Sequence, residues 1–561
     1  MTDIAALLAE PFKCVTDVIR VYASERGDRL ALICDGRELT YAALHAQVDR
    51  FAASLQRDGI VPCDAVALAA NASIEYVVAF LGALRAGAVV APLSPSSSAA
   101  SLAGMIANSG ARVVFLDAAV ERLLDTVAAD VDVRRIRLDL TAEAMAITVT
   151  TRDDAMRAPA LGDRVADTSG AAVVSASPPL ATWLADEGAL PAPVEIQPAW
   201  GFNIIYSSGT TGTPKGIVQS HAMRWAYAVR SADRGYGPHA VTLISTPLYS
   251  NTTLVSFFPT LTLGGTLLVM PKFDVKGYLE LAQRYRATHA MLVPVQYQRI
   301  MDYPDFDRYD LSSFLAKFST SAPFAAKVKA DVVKRWPGTL TEYYGMTEGG
   351  GSCELLAHAF PDKLHTVGTP ITGHDIRLID EQGDEVGVGE IGEVVGHSPA
   401  MMTGYHNQPD KTAEAEWYDS TGKRFIRTGD LGRFDDDGFL TLLDRKKDMI
   451  ISGGFNVYPT DLEAEFRAHP DVYDVAVVGI ASAEWGETPV AFVVPNEKAD
   501  VTEPALKAFA NAKLGKMQRA SDVVFVDVLP RSPIGKVLKR ELRDLYSTIK
   551  QDATCKTSLA K

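Results

Sequence analysis

Short apolar stretches alternate with segments of helical periodicity over the first part of the chain. Between about residues 28 and 116, stretches such as VALAAN (66–71) and AVVAPL (88–93) are each followed by a segment with apolar residues at helical spacing. Apolar runs of four to eight residues are typical of strands buried on both faces, and their alternation with helices is typical of βα units. The pattern predicts an α/β fold with a parallel sheet.

The pattern changes further along the chain. Residues 157–198 are rich in Ala, Pro, Asp and Gly with little periodicity, which indicates that most of this segment is a surface connection. The αβ alternation resumes from about residue 200 to 337, and shorter strands with Gly-containing turns then indicate antiparallel β structure up to Leu443. A small α+β unit begins near Lys446. The antiparallel strands are predicted in DIRLID (375–380), EIGEVVG (390–396) and GFLTLL (438–443).

Composition and charge narrow the functional classes. Of the 561 residues, 47% are hydrophobic and 22% are charged, as in an ordinary globular enzyme. The 55 basic and 69 acidic residues give a net charge of −14, so no global positive field favours nucleic acid or an anionic membrane as a partner. Residues 507–561 instead carry twelve basic and five acidic residues. This excess indicates either a solvated helix face or a surface that faces an anion.

Five scattered cysteines form no CxxC or Cys/His spacing for a disulfide framework or a zinc site, as expected in a reducing cytoplasm. The start of the chain carries acidic residues and no basic signal-peptide region. The apolar run 76–84 stops at Arg85, far short of the ~20 residues that span a bilayer. We expect a cytoplasmic protein without membrane insertion; the sequence leaves open whether it is a monomer or a homodimer.

The segment YSSGTTGTPKG (206–216) has the composition of a phosphate-binding loop, and it follows the apolar strand FNII. Glycines let backbone N–H groups approach phosphate oxygens, hydroxyls add donors, and a lysine supplies a positive charge. Pro214 precedes Lys215 where a Walker A loop requires Gly, which argues against that class. The segment suits a nucleoside triphosphate.

Together with four further motifs, this loop resembles the adenylate-forming superfamily, in particular AMP-forming acyl-CoA synthetases such as 4-coumarate and fatty acid CoA ligases. The resemblance implies that a carboxylate attacks the α-phosphate of ATP, which releases pyrophosphate, and that a thiol, here of CoA, then attacks the acyl-adenylate. It also implies a large N-terminal domain of parallel α/β sheets plus a β subdomain (1–446) and a small mobile α+β C-terminal domain (447–561). The motifs, in family order, are YYGMTEGG (343–350), FIRTGD (425–430), DRKKDMIISGGFNVYP (444–459) and PRSPIGKVLKREL (530–542).

The resemblance assigns residues to the phosphates of ATP. Thr347 would hydrogen-bond the α-phosphate, and Glu348 would hold Mg²⁺, which prefers hard oxygen ligands. The loop would close on the β- and γ-phosphates. Its assigned residues are Ser207, Ser208, Gly209, Thr210, Thr211, Gly212 and Lys215.

It also assigns residues to the adenosine part of ATP. Asp430, helped by Arg445, would accept hydrogen bonds from the ribose hydroxyls. The adenine would lie between a turn and Tyr344. The turn consists of Ser321, Ala322 and Pro323, and Gly345 is also assigned to cofactor binding.

The C-terminal motifs are assigned to the chemical step and to domain rotation. Lys536, on a turn of Pro and Gly, would bridge the carboxylate and the α-phosphate. Lys447 occupies the hinge position of the family. Gly453 and Gly454 would line a tunnel for pantetheine, and Asn456 would make a polar contact to the phosphate or adenylate.

Family members line the acyl pocket from three segments of the N-terminal domain. Ser250 stands where many relatives carry His, which leaves the gate role of that residue unassigned. No Asp lies nearby to pair with a substrate ammonium, so an α-amino acid is disfavoured. We expect an aryl, cinnamate-like acid or a medium-chain fatty acid. The candidate lining residues are Tyr249, Ser250, Asn251, Val295, Tyr297 and Gly350.

Two further activities compete with a CoA ligase. A stand-alone adenylation enzyme would load an acyl carrier protein, although the chain shows no carrier domain. A luciferase-like oxidase is disfavoured because the ending SLAK is not the peroxisomal SKL of such insect enzymes.

Overall fold

The computed structural model describes residues 4–127, 133–139, 177–207, 215–452, 455–482, 485–497, 499–515, 518–532 and 535–559. Two largely parallel sheets with helices, followed by an antiparallel β subdomain, form the large N-terminal domain. A smaller sheet with helices forms the C-terminal domain. The predicted α/β fold class is confirmed.

Sheet A is parallel in its centre and antiparallel at both edges. Its central strands are short and almost completely buried, as is typical of parallel strands that are covered on both faces. In spatial order, its strands among the described residues are Thr369–Pro370, Ser352–Leu356, Thr339–Gly345, Ala316–Ser319, His289–Leu292, Val241–Ile244, Thr266–Val269, Leu30–Cys34 and Arg37–Thr40.

Sheet B contains the apolar segments VALAAN and AVVAPL, which form adjacent parallel strands. At one side the sheet ends in an antiparallel hairpin of Gly201–Ser207 and Lys215–Ser220. In spatial order, its strands among the described residues are Gly404–Tyr405, Lys215–Ser220, Gly201–Ser207, Val89–Pro92, Ala65–Ala69, Val113–Leu116 and Arg134–Arg137.

Helices pack on both sheets, and several begin at a Ser, Thr or Asp whose side chain accepts a backbone N–H of the first turn. In chain order, the α-helices described in this domain are Ile4–Leu8, Val15–Glu25, Tyr41–Arg57, Ile74–Arg85, Ala99–Ser109, Ala118–Asp125, Leu180–Trp183, His221–Arg230, Asn251–Thr262, Val275–Arg284, Pro294–Met301, Ala326–Arg335 and Pro409–Glu414, and the 3₁₀ turns are Ser231–Arg234, Phe306–Arg308 and Pro361–Lys363.

The β subdomain confirms the three predicted antiparallel strands, each within about two residues of the predicted bounds. Its long central strand, Arg424–Phe434, pairs with three neighbours and carries the FIRTGD motif. Its other strands are Asp375–Ile379, Gly392–His397, Glu416–Tyr418 and Leu440–Arg445.

The C-terminal domain buries an apolar core between its sheet and its helices, with Phe466, Val477 and Leu506 at its centre. The predicted boundary between residues 446 and 447 falls in the turn that follows the strand Leu440–Arg445, and it remains a prediction. The strands are Ile450–Ser452, Phe455–Val457, Val472–Ser482, Gly486–Pro495 and Asp522–Phe525, and the helices are Pro459–Arg467, Glu503–Asn511 and Lys539–Leu559.

The expectation that most of residues 157–198 is a surface connection agrees with residues 177–198, which are exposed or half-buried except for Leu180 and Trp183. Residues 157–176 lie outside the described residues. Trp183 is buried, with its ring centroid 5.0 Å from Phe51 and 5.1 Å from Phe115. Its indole N–H donates to Asp58. The segment contributes to the core because one large aromatic residue anchors it, which its overall composition conceals.

No helix within the described ranges combines the length and apolar character that crossing a bilayer requires.

Candidate active site

A cleft of about 3550 Å³ lies between the carboxyl ends of the sheet strands and the C-terminal domain. Ligands of open α/β sheets commonly bind at this edge. Most of the residues assigned from the sequence line the cleft. They are Lys215, Tyr249, Ser250, Asn251, Val295, Ser321, Ala322, Pro323, Tyr344, Gly345, Thr347, Glu348, Asp430, Arg445, Lys447 and Lys536.

The predicted phosphate loop connects the two strands of the hairpin in sheet B. Ser207 is the last described residue before the loop, and Lys215 is the first one after it. The two residues are cross-strand partners, so they lie side by side. Ser208, Gly209, Thr210, Thr211 and Gly212 lie outside the described residues.

Glu348 and Lys215 share one aromatic neighbour, Tyr405. The Tyr405 hydroxyl donates to Glu348 Oε1 at 2.8 Å, and the Lys215 ammonium lies 5.0 Å from the Tyr405 ring centroid. Burial, and then the charge of Glu348, raise the pKa of Tyr405, so the hydroxyl stays a donor. The sequence analysis did not single out Tyr405. A carboxylate and a lysine beside each other suit a metal-bound polyphosphate.

Asp430 is held from two sides. Asp430 and Arg445 are cross-strand partners, and Arg445 Nε lies 3.0 Å from Asp430 Oδ1. The Tyr344 hydroxyl donates to Asp430 Oδ2 at 2.9 Å. Burial, and then the charge of Asp430, raise the pKa of Tyr344 well above its ordinary value. The structure thus brings together three of the residues assigned to adenine and ribose.

Lys536 projects from a tight turn of the C-terminal domain toward these acidic residues. Gly535 has a φ of +79°, and its backbone N–H donates to the Ser532 carbonyl at 2.8 Å. The Lys536 side chain is exposed to the water of the cleft, although protein encloses the cleft on most sides. Burial, and then Arg445, lower the pKa of Lys536, whereas Asp430 and Glu348 oppose the shift.

The same turn seals one wall of the acyl side of the cleft. A Cβ added at Gly535 would lie 3.1 Å from Val295 Cγ1, so the turn packs closely against that side chain. Val295 therefore contacts the C-terminal domain in this arrangement. Lys539 reinforces the docking, because its ammonium lies 3.4 Å from Asp444 Oδ2 across the predicted boundary.

The predicted adenine turn has an unusual backbone. Ser321 has a φ of +84°, which a non-glycine residue adopts rarely. Its hydroxyl contacts the hydroxyl of Thr252, which ties the turn to the helix Asn251–Thr262. Ala322 and Pro323 follow on the wall of the cleft.

Two residues assigned to the acyl pocket have structural partners. Ser250 is buried and caps the helix Asn251–Thr262 by accepting the Thr252 N–H at 3.3 Å. The residue that replaces the histidine of many relatives thus begins a helix. Tyr249 lines the cleft, and burial raises its pKa while hydrogen bonds with Ser94 and Ser96 oppose the shift.

Other assigned residues do not line the cleft. Tyr297 is fully buried and donates to the Phe318 carbonyl at 2.9 Å, so it belongs to the core. Gly350 packs against the β subdomain, where an added Cβ would lie 2.6 Å from Ile426 Cβ. Asn456 lies on an exposed strand. Gly453 and Gly454 fall in a gap of the described residues.

Three buried polar residues that the sequence analysis missed support the site from beneath. Gln219 donates to the Thr347 carbonyl at 2.7 Å, and Arg224 contacts Gln219 and donates to Asn203. For Arg224, the sequence contained a signal that its side chain is buried. It lies on the same helical face as the apolar residues Trp225 and Ala228, so helical spacing alone directs a charge into the core.

Two sequence models of protein families match the chain. One, described as AMP-binding enzyme, matches residues 19–406, and the other, described as AMP-binding enzyme C-terminal domain, matches residues 461–536. The chain belongs to the adenylate-forming acid:CoA ligase family. The enzyme class that the sequence motifs implied, an AMP-forming acid:CoA ligase, is thus confirmed.

Its relatives cover nearly the whole chain. It is 32% identical to 4-coumarate–CoA ligase 2 of Nicotiana tabacum, with 90% of this chain and 89% of the relative aligned. It is 31% identical to the long-chain-fatty-acid–CoA ligase FadD13 of Mycobacterium tuberculosis, with 91% and 93% aligned.

Solved structures agree with the fold of this acid:CoA ligase. ATP-bound MatB of Rhodopseudomonas palustris superposes with a TM-score of 0.79 at 28% identity, covering 95% of this chain and 99% of MatB. Apo MatB superposes with a TM-score of 0.69 at the same identity, covering 96% and 100%. The structure of this chain is thus more similar to that of ATP-bound MatB than to that of apo MatB.

Proposed function

We propose that this protein adenylates an aryl, cinnamate-like acid or a medium-chain acid with ATP and then transfers the acyl group to CoA. The observation that carries the proposal is the convergence of Glu348, Asp430 and Lys536 on one cleft from three different motifs. These groups supply the charges that an attack of a carboxylate on an α-phosphate needs.

Each group has a role in the adenylation step. Asp430 accepts hydrogen bonds from the ribose, and Arg445 and Tyr344 hold it in place. Lys536 offsets the negative charge that builds up when the carboxylate approaches the α-phosphate. Thr347 donates to that phosphate. Lys215 and the loop that precedes it neutralise the outer phosphates.

Glu348 is the residue that would hold Mg²⁺. No cluster of three or more acidic, His or Cys residues suited to a metal occurs in the described part of the chain. Mg²⁺ in nucleotide sites is held by one or two carboxylates, water and substrate phosphates, so a single carboxylate beside Lys215 fits such an ion. When bound, Mg²⁺ would neutralise phosphate charge.

Substrate selection rests on the wall around Tyr249, Asn251 and Val295. The similarity to 4-coumarate–CoA ligases and to a fatty-acid ligase supports an apolar or aryl acid without naming which. The arrangement of the C-terminal domain supports an assignment of this conformation to adenylation, because the ATP-bound MatB superposes better than the apo form.

Pyrophosphate release with ATP and Mg²⁺ tests the proposal across cinnamate, 4-coumarate and straight-chain acids of about four to twelve carbons. We expect release that depends on the acid and formation of an acyl-CoA when CoA is added. Malonate and phenylalanine serve as controls, because each carries a second charged group that the acids of the panel lack. Absence of acid-dependent release with every member of the panel would contradict the proposal.

A further inference from the structure

A buried polar network lies directly beneath the cleft. Arg224 is 1% exposed, and Asn203 and Gln219 are fully buried beside it. Burial lowers the pKa of Arg224 to about 9, so the guanidinium still carries its charge at neutral pH. Burying a charge and several amides costs free energy unless every donor finds an acceptor. Such a network at the wall of an active-site cleft therefore needs a function.

The guanidinium fixes the orientation of the amide groups around it, because it donates hydrogen bonds and accepts none. Arg224 Nε donates to Asn203 Oδ1 at 3.0 Å, and Nη2 donates to Asn251 Oδ1 at 2.9 Å. Asn203 Nδ2 in turn donates to Gln219 Oε1 at 3.0 Å. The oxygen of each amide therefore faces a donor within the network.

This orientation decides what Asn251 presents to the cleft. Its oxygen is occupied by Arg224, so its Nδ2 points away from the network. Among the described residues, nothing accepts a hydrogen bond from Asn251 Nδ2, and the residue lines the cleft. A side-chain N–H donor is thus available at the acyl wall.

The position of Asn251 identifies the acceptor. Gln219 Nε2 lies 2.7 Å from the Thr347 carbonyl and 3.5 Å from Asn251 Oδ1, so one nitrogen joins the two residues. Thr347 is the proposed neighbour of the α-phosphate. The carboxylate of the acid must lie beside that phosphate in order to attack it.

We propose that Asn251 donates a hydrogen bond to the carboxylate oxygen of the acid substrate and that Arg224 is the positioning residue that aims it. The inference rests on the proposed function, since it requires an acid in this cleft. Through Gln219, the same network holds the carbonyl of Thr347. One buried cation therefore aligns the donor for the carboxylate with the residue beside the phosphate.

Two variants of Asn251 test the donor. Asn251→Ala removes it, and Asn251→Asp keeps the shape and the contact to Arg224 while replacing the N–H by an anionic oxygen. For both we expect kcat/KM for the acid to fall about 10- to 100-fold, the range for one hydrogen bond to a charged group, with the KM for ATP within about twofold of the wild type. The thermal midpoint of Asn251→Asp should equal or exceed that of the wild type, because the new carboxylate pairs with Arg224. A midpoint below that of Asn251→Ala would overturn the proposed contact.

A double-mutant cycle tests the positioning role. If Arg224 acts through Asn251, then Asn251→Ala should change kcat/KM less than about twofold in an Arg224→Met background. Arg85→Met is the matched control, since Arg85 is also largely buried, but its partners Asp17 and Asp49 do not line the cleft. Arg85→Met should lower the thermal midpoint without changing the loss of kcat/KM that Asn251→Ala causes. Additive losses for Arg224→Met and Asn251→Ala would contradict the positioning role.

Cinnamate and 4-coumarate, which differ by one hydroxyl at the far end of the acid, distinguish the carboxylate from the acyl tail as acceptor. The loss in Asn251→Ala should be equal for both acids. A loss confined to 4-coumarate would overturn the assignment, because the donor would then contact the tail. A wild type that releases no pyrophosphate with any acid would overturn the proposed function together with this inference, whereas an active wild type with additive losses rejects the positioning role alone.

Discussion

At the scale of single residues, the site depends on charges held near each other by neutral neighbours. Tyr344 and Tyr405 donate hydroxyls to Asp430 and Glu348, and burial keeps both hydroxyls protonated. The tyrosines orient each carboxylate without cancelling its charge. Both carboxylates thus remain available to a ribose and to a cation.

Lys536→Ala should separate the two half-reactions. We expect adenylation to fall on the order of 10²-fold or more, the scale of removing one preorganised charged donor, while thioester formation from supplied acyl-AMP continues. Pyrophosphate release and acyl-CoA formation measured separately decide this. Lys550→Ala provides the control, since Lys550 belongs to the same domain but does not line the cleft. Equal damage to both steps would contradict the assignment of Lys536.

The pH dependence of adenylation should report the protonation state of Lys536. Because the pKa of Lys536 lies below the ordinary 10.5, the side chain loses its proton at a lower pH than a lysine in water. Adenylation needs the charged form, so kcat/KM should fall as pH rises through that lowered value. Thioester formation from acyl-AMP should lack this alkaline limb. Lys536→Arg stays charged and should remove the limb; persistence of the limb in that variant would assign it to another group.

Tyr405→Phe should weaken the use of Mg²⁺. The variant keeps the ring beside Lys215 but leaves Glu348 without its donor, a loss of about 1.5 kcal/mol or more. We expect the Mg²⁺ concentration for half-maximal pyrophosphate release to rise about tenfold. Tyr418→Phe is matched, because the exposed Tyr418 also donates to a carboxylate, that of Glu416. An unchanged Mg²⁺ dependence in Tyr405→Phe argues against Glu348 as the ligand.

Motifs identified the charged residues of the cleft, but not the residues beneath them. Arg224, Gln219 and Asn203 occupy ordinary positions along a helix and a hairpin, and only the fold brings them together. Tyr297, in contrast, was assigned to the acyl pocket but does not line it. An aromatic residue near a pocket segment is as often core as wall, and its side chain here points into the core.

At the scale of elements, the strand Leu440–Arg445 carries the connection between the two domains. It ends at Arg445, the cross-strand partner of Asp430, and a turn closed by the Asp448 N–H to the Arg445 carbonyl follows. Lys447 lies inside this turn. Burial, and then Arg445, lower the pKa of Lys447. The turn is short, so the rotation that we propose for the C-terminal domain requires few backbone angles to change.

Lys447→Pro should trap one arrangement, because the proline ring fixes φ near −65° and a hinge residue must change φ and ψ. We expect pyrophosphate formation to stay within about tenfold, while thioester formation from acyl-AMP falls by about two orders of magnitude, or ~3 kcal/mol. Lys447→Ala removes the charge but keeps the freedom of φ, and it should support both steps. Thioester formation at the wild-type rate in Lys447→Pro would place the pivot elsewhere.

Strands were predictable where the apolar pattern is simple. VALAAN and AVVAPL form buried parallel strands, and the three short segments of the β subdomain form antiparallel strands, because local periodicity reflects burial. The pattern could not show that the phosphate loop joins two antiparallel strands, since pairing partners are set by tertiary contacts. Trp183 was missed for a similar reason: one residue in a polar segment does not alter its periodicity.

At the scale of the whole molecule, the Lys536 turn reaches the N-terminal domain at Val295 while Lys539 pairs with Asp444. These contacts hold Lys536 over the part of the cleft that contains Asp430 and Glu348. They also fill space beside the acyl wall. We therefore expect a thiol to approach after the C-terminal domain has moved.

CoA, and not a carrier protein, should be the acceptor. The reason is the excess of basic residues in segment 507–561, which suits a thiol that carries several phosphates. We expect CoA consumption to be stoichiometric with AMP formation. An acyl carrier protein with its pantetheine arm is the competing acceptor under the same conditions. If adenylate forms but only the carrier protein becomes acylated, the CoA ligase assignment is wrong.

The size of the cleft exposes the activated acyl group to hydrolysis for as long as that group waits for the thiol. At about 30 Å³ per molecule in the liquid, 3550 Å³ would hold on the order of a hundred water molecules. An activated acyl group that waits in this volume is surrounded by a competing nucleophile. The yield of thioester per ATP then depends on how soon the thiol arrives after activation. If the C-terminal domain rotates between the two steps as proposed, a slow rotation would let water hydrolyse the acyl-adenylate, and ATP would be consumed without formation of the thioester.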